Sequence, residues 1–67
     1  MTLKITVWDI IYGENSKVIA EGLDSVQVTG GLLRGENGEV LLMQGLSGAW
    51  RDNDGDQWLD WTVENEV

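Results

Sequence analysis

Turn signals recur about every 8–12 residues along this chain, the spacing of a compact all-β fold built from short strands. Nine glycines and no proline supply turns without rigid linkers. Residues 3–12, LKITVWDIIY, alternate in the strand period: Leu3, Ile5, Val7 and Ile11 share one face, and Lys4, Thr6, Trp8, Ile10 and Tyr12 the other. β-branched and aromatic side chains dominate the run, which favours strand over helix. Both faces are rather apolar, as in a central strand with a second covered surface.

Gly13-Glu14-Asn15-Ser16 reads as a turn, Lys17–Glu21 as a short strand and Gly22-Leu23-Asp24-Ser25 as the next turn. A third strand covers Val26–Leu33, with Gly30-Gly31 marking a bulge or sharp bend inside it. Asn37-Gly38 predicts a type I′ hairpin that pairs Glu36 with Glu39 and sets Arg34 opposite Leu41. Glu39–Gln44 is almost wholly apolar and is expected to be buried on both sides. A fifth strand follows over Leu46–Asp52 and a sixth over Gln57–Val63, whose core face is Leu59, Trp61 and Val63. No sustained helical spacing and no internal repeat of useful length is present. The expectation is one domain over residues 1–67: an antiparallel meander of about six short strands, curved or closed into a small barrel, with residues 64–67 a frayed tail.

Size sharpens the problem. A chain of 67 residues buries only roughly 60% of the surface that its unfolded form exposes. Disulfides, a structural metal or oligomerisation usually help below about 70–80 residues. There is no cysteine and no histidine, which excludes disulfides and Cys/His metal sites. The start, MTLKITVWDI, lacks a basic region followed by an apolar run, so no signal peptide is read there. No apolar run approaches the about 18 residues of a membrane span. A cytoplasmic protein without membrane contact is the expectation.

The formal charge is −8, of which residues 1–50 contribute −3 and residues 51–67 contribute −5. Such a field repels nucleic acid and anionic membranes and attracts basic surfaces. Residues 50–66, WRDNDGDQWLDWTVENE, hold three of the four tryptophans and six of the twelve carboxylates, with Arg51 the one positive charge. Large rigid apolar area interleaved with like charge suits a contact surface better than a core. Trp50, Asp52, Asp54, Asp56, Trp58, Asp60, Glu64 and Glu66 are therefore the expected partner-binding set, and Trp61 and Trp8 are assigned to the core. With Asp54-Gly55 as a two-residue loop, Trp50 lies opposite Leu59 and Arg51 opposite Trp58, where the guanidinium would stack on the indole.

Asp52-Asn53-Asp54-Gly55-Asp56 resembles the start of a calcium loop but departs from its pattern. Counted from Asp52, Gln57 stands where the turn glycine belongs and Val63 where a bidentate glutamate closes the shell. A hairpin turn is preferred, and no metal or cofactor is expected. Without histidine, cysteine or a serine beside a base, and with little volume for a cleft, enzyme activity is not expected.

Carboxylates at alternate strand positions lie about 6.6–7 Å apart, on the scale of the separation of successive phosphates along one DNA strand. They suit the lysines and arginines of a nucleic-acid-binding groove. The function expected is that of a non-enzymatic acidic inhibitor, a nucleic-acid mimic of the phage or mobile-element counter-defence type. It would block, one to one, the basic surface of a nucleic-acid-binding protein, with no direct nucleic acid binding and with a homodimer as an option. An assembly subunit forming a homo-oligomer and a carbohydrate-binding module are the alternatives.

Overall fold

The computed structural model describes residues 2–9 and 15–66. They form eight strands and no helix: β1 (Thr2–Asp9), β2 (Asn15–Leu23), β3 (Gln27–Thr29), β4 (Leu32–Arg34), β5 (Val40–Gln44), β6 (Trp50–Arg51), β7 (Gln57–Trp58) and β8 (Asp60–Glu66). Two antiparallel sheets result, one ordered β2-β1-β8 and the other a sequential meander β3-β4-β5-β6-β7. Neither closes into a barrel. Their facing surfaces meet in one core of Ile5, Val7, Leu23, Leu33, Leu42 and Trp50. Ile10, Ile11, Tyr12, Gly13 and Glu14, expected to end the first strand and begin the first turn, lie outside the described residues, as does Val67.

The alternation in β1 carries through. Ile5 and Val7 are fully buried, and β1 is the central strand of its sheet, flanked by β2 and β8. Strand β8 pairs with β1 without interruption from Thr2↔Glu66 to Trp8↔Asp60. The expected frayed tail is thus corrected: Glu64–Glu66 are strand, because β1 takes up a partner along its whole length. Glu66 is further tied down by Thr2 Oγ1 at 3.1 Å and the backbone N–H of Gly22 at 2.7 Å, both donating to Oε1.

Two breaks raise the strand count above six. Gly30 and Gly31 have φ of 60° and 75°, the double left-handed requirement of a two-residue type I′ turn. They close a hairpin with Thr29 opposite Leu32, where a bulge or bend within a single strand was expected. At Leu59 the chain leaves the meander: its N–H donates to the Trp8 carbonyl at 3.1 Å. The bend shifts the side-chain alternation by one residue. Trp58 therefore faces the core from the meander and Trp61 from the other sheet, while Leu59, expected inside, is exposed at 37%.

One turn is used three times. Gly35 N–H donates to Glu39 O (2.9 Å), Gly45 N–H to Ala49 O (2.8 Å) and Asp52 N–H to Asp56 O (3.0 Å). In each, the fourth residue donates back to the first: Gly38 to Gly35, Gly48 to Gly45 and Gly55 to Asp52, at 3.0–3.1 Å. This is the three-residue hairpin loop, a type I turn followed by a left-handed glycine, and the three glycines have φ of 83°, 91° and 89°. Among the described residues no non-glycine residue has positive φ, so Asn37 does not complete a type I′ turn. The register moves accordingly: Arg34 faces Val40, Trp50 faces Trp58 and Arg51 faces Gln57. The expected Arg51–Trp58 stack is lost with the two-residue loop.

A side chain at Gly38, Gly48 or Gly55 would meet open space, with no atom within 4 Å, so only the backbone resists substitution. L-Alanine at any of the three is expected to cost about 1–2 kcal/mol, the left-handed penalty. D-Alanine, introduced by chemical synthesis, should leave the urea midpoint unchanged or raised.

The expectation for Glu39–Gln44 is also corrected. Only Leu42 is buried, Val40 and Leu41 are half-buried, and Met43 is 56% exposed. The meander is covered on one side alone, so an apolar run need not mean burial on both. Of the expected strand Leu46–Asp52, only Trp50–Arg51 is strand; Leu46 stands at a hairpin tip, fully exposed.

Candidate partner-binding face

The acidic turn is built around Asp52, which is buried rather than displayed, at 8% exposure. Its Oδ1 accepts the backbone N–H groups of Asp54 (2.9 Å) and Asp56 (3.1 Å), and its Oδ2 accepts Trp58 Nε1–H (3.0 Å). Burial opposes ionisation of this carboxyl most strongly. The hydrogen bonds from Trp58, Asp56 and Asp54, with the nearby Lys17 charge, outweigh it and hold the pKa below the usual aspartate value. Both oxygens are thus taken up in closing the hairpin. Among the described residues, no three acidic side chains gather to hold a metal ion.

The expected partner-binding set therefore divides. Trp50 is buried at 8% and stands edge-on to Trp61, with ring centroids 5.5 Å apart and an interplanar angle of 86°. Trp58 is half-buried, its N–H committed to Asp52. These two indoles and Asp52 belong to the interior framework rather than to a water-facing patch, because the hairpin register turns Trp50 and Trp58 together toward the core.

Asp54 is exposed and receives Lys17 Nζ at 3.1 Å. That contact, largest among the causes, raises the lysine pKa. Asp56 is exposed at the same turn. Asp60, Glu64 and Glu66 lie on β8, with Glu64 accepting Thr6 Oγ1 at 3.1 Å. Asp60 faces Trp8 at one end of the β1–β8 ladder and Glu66 faces Thr2 at the other, a span of about 20 Å at the strand rise.

The registers also define a face that the sequence expectation assigned wrongly. With Ile5 and Val7 inward, strand alternation places Thr2, Lys4, Thr6 and Trp8 on the outer side of the three-stranded sheet. Their partners there are Glu66, Glu64, Thr62 and Asp60 on β8, and Val18 and Ser16 on β2. Trp8 is half-buried and Val18 is 44% exposed. Trp8, taken as core, is the indole on this face. The signal was present in the sequence: Trp8 falls on the face opposite Ile5 and Val7.

Compared with known proteins, the chain matches no family model, no curated protein and no solved structure.

Chemically, the outer face offers one flat aromatic ring, one valine, small hydroxyls, and carboxylates along β8 with the single cation Lys4 opposite Glu64. Two of its carboxylates, Glu64 and Glu66, are already oriented by threonine donors. The other large exposed apolar residues are dispersed. Val28 sits on β3, Met43 on the outer side of the meander, Leu46 at a hairpin tip and Leu59 at the bend between the sheets.

Proposed function

We propose that the chain is a non-enzymatic acidic binding protein that caps a cationic protein surface, of the kind that otherwise holds a nucleic-acid backbone, and so blocks it one to one. The observation that carries this reading is Trp8 flanked by Asp60, with Glu64 further along the same outer face of β8. The carboxylates repeat there at strand intervals, and the indole supplies the rigid apolar area that dominates many protein interfaces. Twelve carboxylates stand against four cations in the chain; Lys17 is engaged with Asp54 and Lys4 lies opposite Glu64 on the outer face itself, and the net field remains strongly negative. The dispersal of exposed apolar side chains gives an assembly subunit less support.

The test is capture of partners by tagged protein at about 50 mM and about 500 mM salt, conditions that differ several-fold in screening length. The expected result is a nucleic-acid-binding protein held at low salt and released at high salt. It should be lost with the Asp60→Asn/Glu64→Gln variant and displaced by a competing oligonucleotide. Retention that ignores salt, both substitutions and the oligonucleotide overturns the proposal.

A further inference from the structure

We infer that β8 is an open docking edge that takes up an extended, lysine- or arginine-bearing segment of the partner as an added strand; this rests on the reading above and specifies how the partner is held. The order β2-β1-β8 leaves β8 at the sheet margin. Its seven residues pair with β1 in unbroken register. The Trp61 N–H is met by Oδ1 of its own neighbour Asp60 at 2.8 Å, which sets it facing away from β1. In an antiparallel ladder the backbone groups alternate in direction, so those of Val63 and Asn65 face outward too.

The other margins are unsuitable. Strand β2 carries two register shifts against β1 and a left-handed Gly22 (φ 71°), and bulges of this kind blunt an edge. The meander ends in β3 and β7, of three and two residues. Among the described edge strands, β8 alone is long, regular and free of lysine and proline.

Charge selects the occupant. A two-fold pairing of β8 with a second copy, centred on Val63, would set Asp60 opposite Glu66 of the other copy twice over, and like charges directly opposed are destabilising. A cationic strand laid on the same edge would instead meet Asp60 and Glu64 along one side, Glu66 being turned across β1 to Gly22. Backbone hydrogen bonds would supply affinity and alternate side chains specificity, as in other cases of strand addition.

The probe is a synthetic peptide of alternating lysine and threonine, the length of β8. Its controls are a glutamate–threonine counterpart and the lysine peptide with alternate backbone nitrogens methylated. Amide spectra and hydrogen exchange are read on the intact protein. The lysine peptide is expected to slow exchange at Val63 and Asn65, the methylated form to bind about tenfold more weakly, the scale of one to two backbone hydrogen bonds, and the glutamate form not to bind.

Asn65→Pro removes one outward donor and spares the ladder to β1. It should leave the melting temperature unchanged and weaken the lysine peptide by a similar factor. Equal binding of all lysine forms to wild type and Asn65→Pro, with perturbation spread over Asp54 and Asp56, overturns the edge while leaving the charge-driven reading standing. Protection of Val63 and Asn65 without peptide, together with a dimer by sedimentation, overturns it in favour of self-pairing. Loss of salt dependence in the partner capture removes the functional reading itself.

Discussion

Trp50→Ala is expected to cost about 3–5 kcal/mol, the range for removing a large buried aromatic side chain, and to leave a domain of this size largely unfolded. Trp50 belongs to the same core cluster as Leu42 and Leu33 and meets Trp61 edge to face. Its removal opens a void where the two sheets touch. It also deprives Trp61 of its aromatic neighbour, and the indole N–H of Trp61 is already buried without an acceptor. Urea unfolding followed by far-ultraviolet circular dichroism measures the loss. Trp8→Ala, on the outer face, should cost markedly less. Equal losses at the two positions would mean that Trp8 is structural and would remove the aromatic element from the proposed contact face.

Asp52 is expected to dominate the acid limb of stability. Its folded pKa lies below the ordinary value of 3.8, so ionised Asp52 stabilises the fold above that value. The contribution is lost as pH falls through the lower folded pKa. Asp52→Asn should flatten the fall in urea midpoint as pH drops below the ordinary aspartate value, where the depressed carboxylate takes up its proton. Asp52→Ala at neutral pH leaves Trp58 Nε1–H and the N–H groups of Asp54 and Asp56 without their acceptor. At about 1–3 kcal/mol for a buried donor left unsatisfied, and with water close by, a loss of about 2–4 kcal/mol is expected. Lys17→Met should leave the acid limb in place, because the lysine charge comes last among the causes of the shift. An acid limb of unchanged depth in Asp52→Asn would contradict this assignment.

Much of the fold is legible locally. Strict alternation marks β1 as a central strand, and glycine-bearing turns mark where the meander reverses. The errors have specific physical origins. Asn37-Gly38 and Asp54-Gly55 suit two hairpin types, and a single left-handed glycine is less strained than asking Asn37 or Asp54 for positive φ as well. That choice shifts each register and turns Trp50 and Trp58 inward together. The threefold use of one turn leaves no periodic trace in the sequence, because its glycines, at 38, 48 and 55, are ten and then seven residues apart. Asp52 looked like surface charge, since the donors that bury it, Trp58 Nε1–H above all, converge only once the hairpin has formed. Burial of Trp50 beside an acidic turn is a long-range outcome, and nothing in its neighbours Ala49 and Arg51 announces it.

The pairing of β1 with β8 joins residues about as far apart along the chain as its length allows, Thr2 with Glu66. Closing so large a loop before its contacts can reward it slows folding. The meander from β3 to β7 is assembled from neighbours and can form early. Ile5 and Val7 then wait for residues 60–66 to arrive before the sheet around β1 is complete. A refolding time course should accordingly show hairpin amides protected ahead of those in β1, with the closing strand setting the pace of the whole molecule.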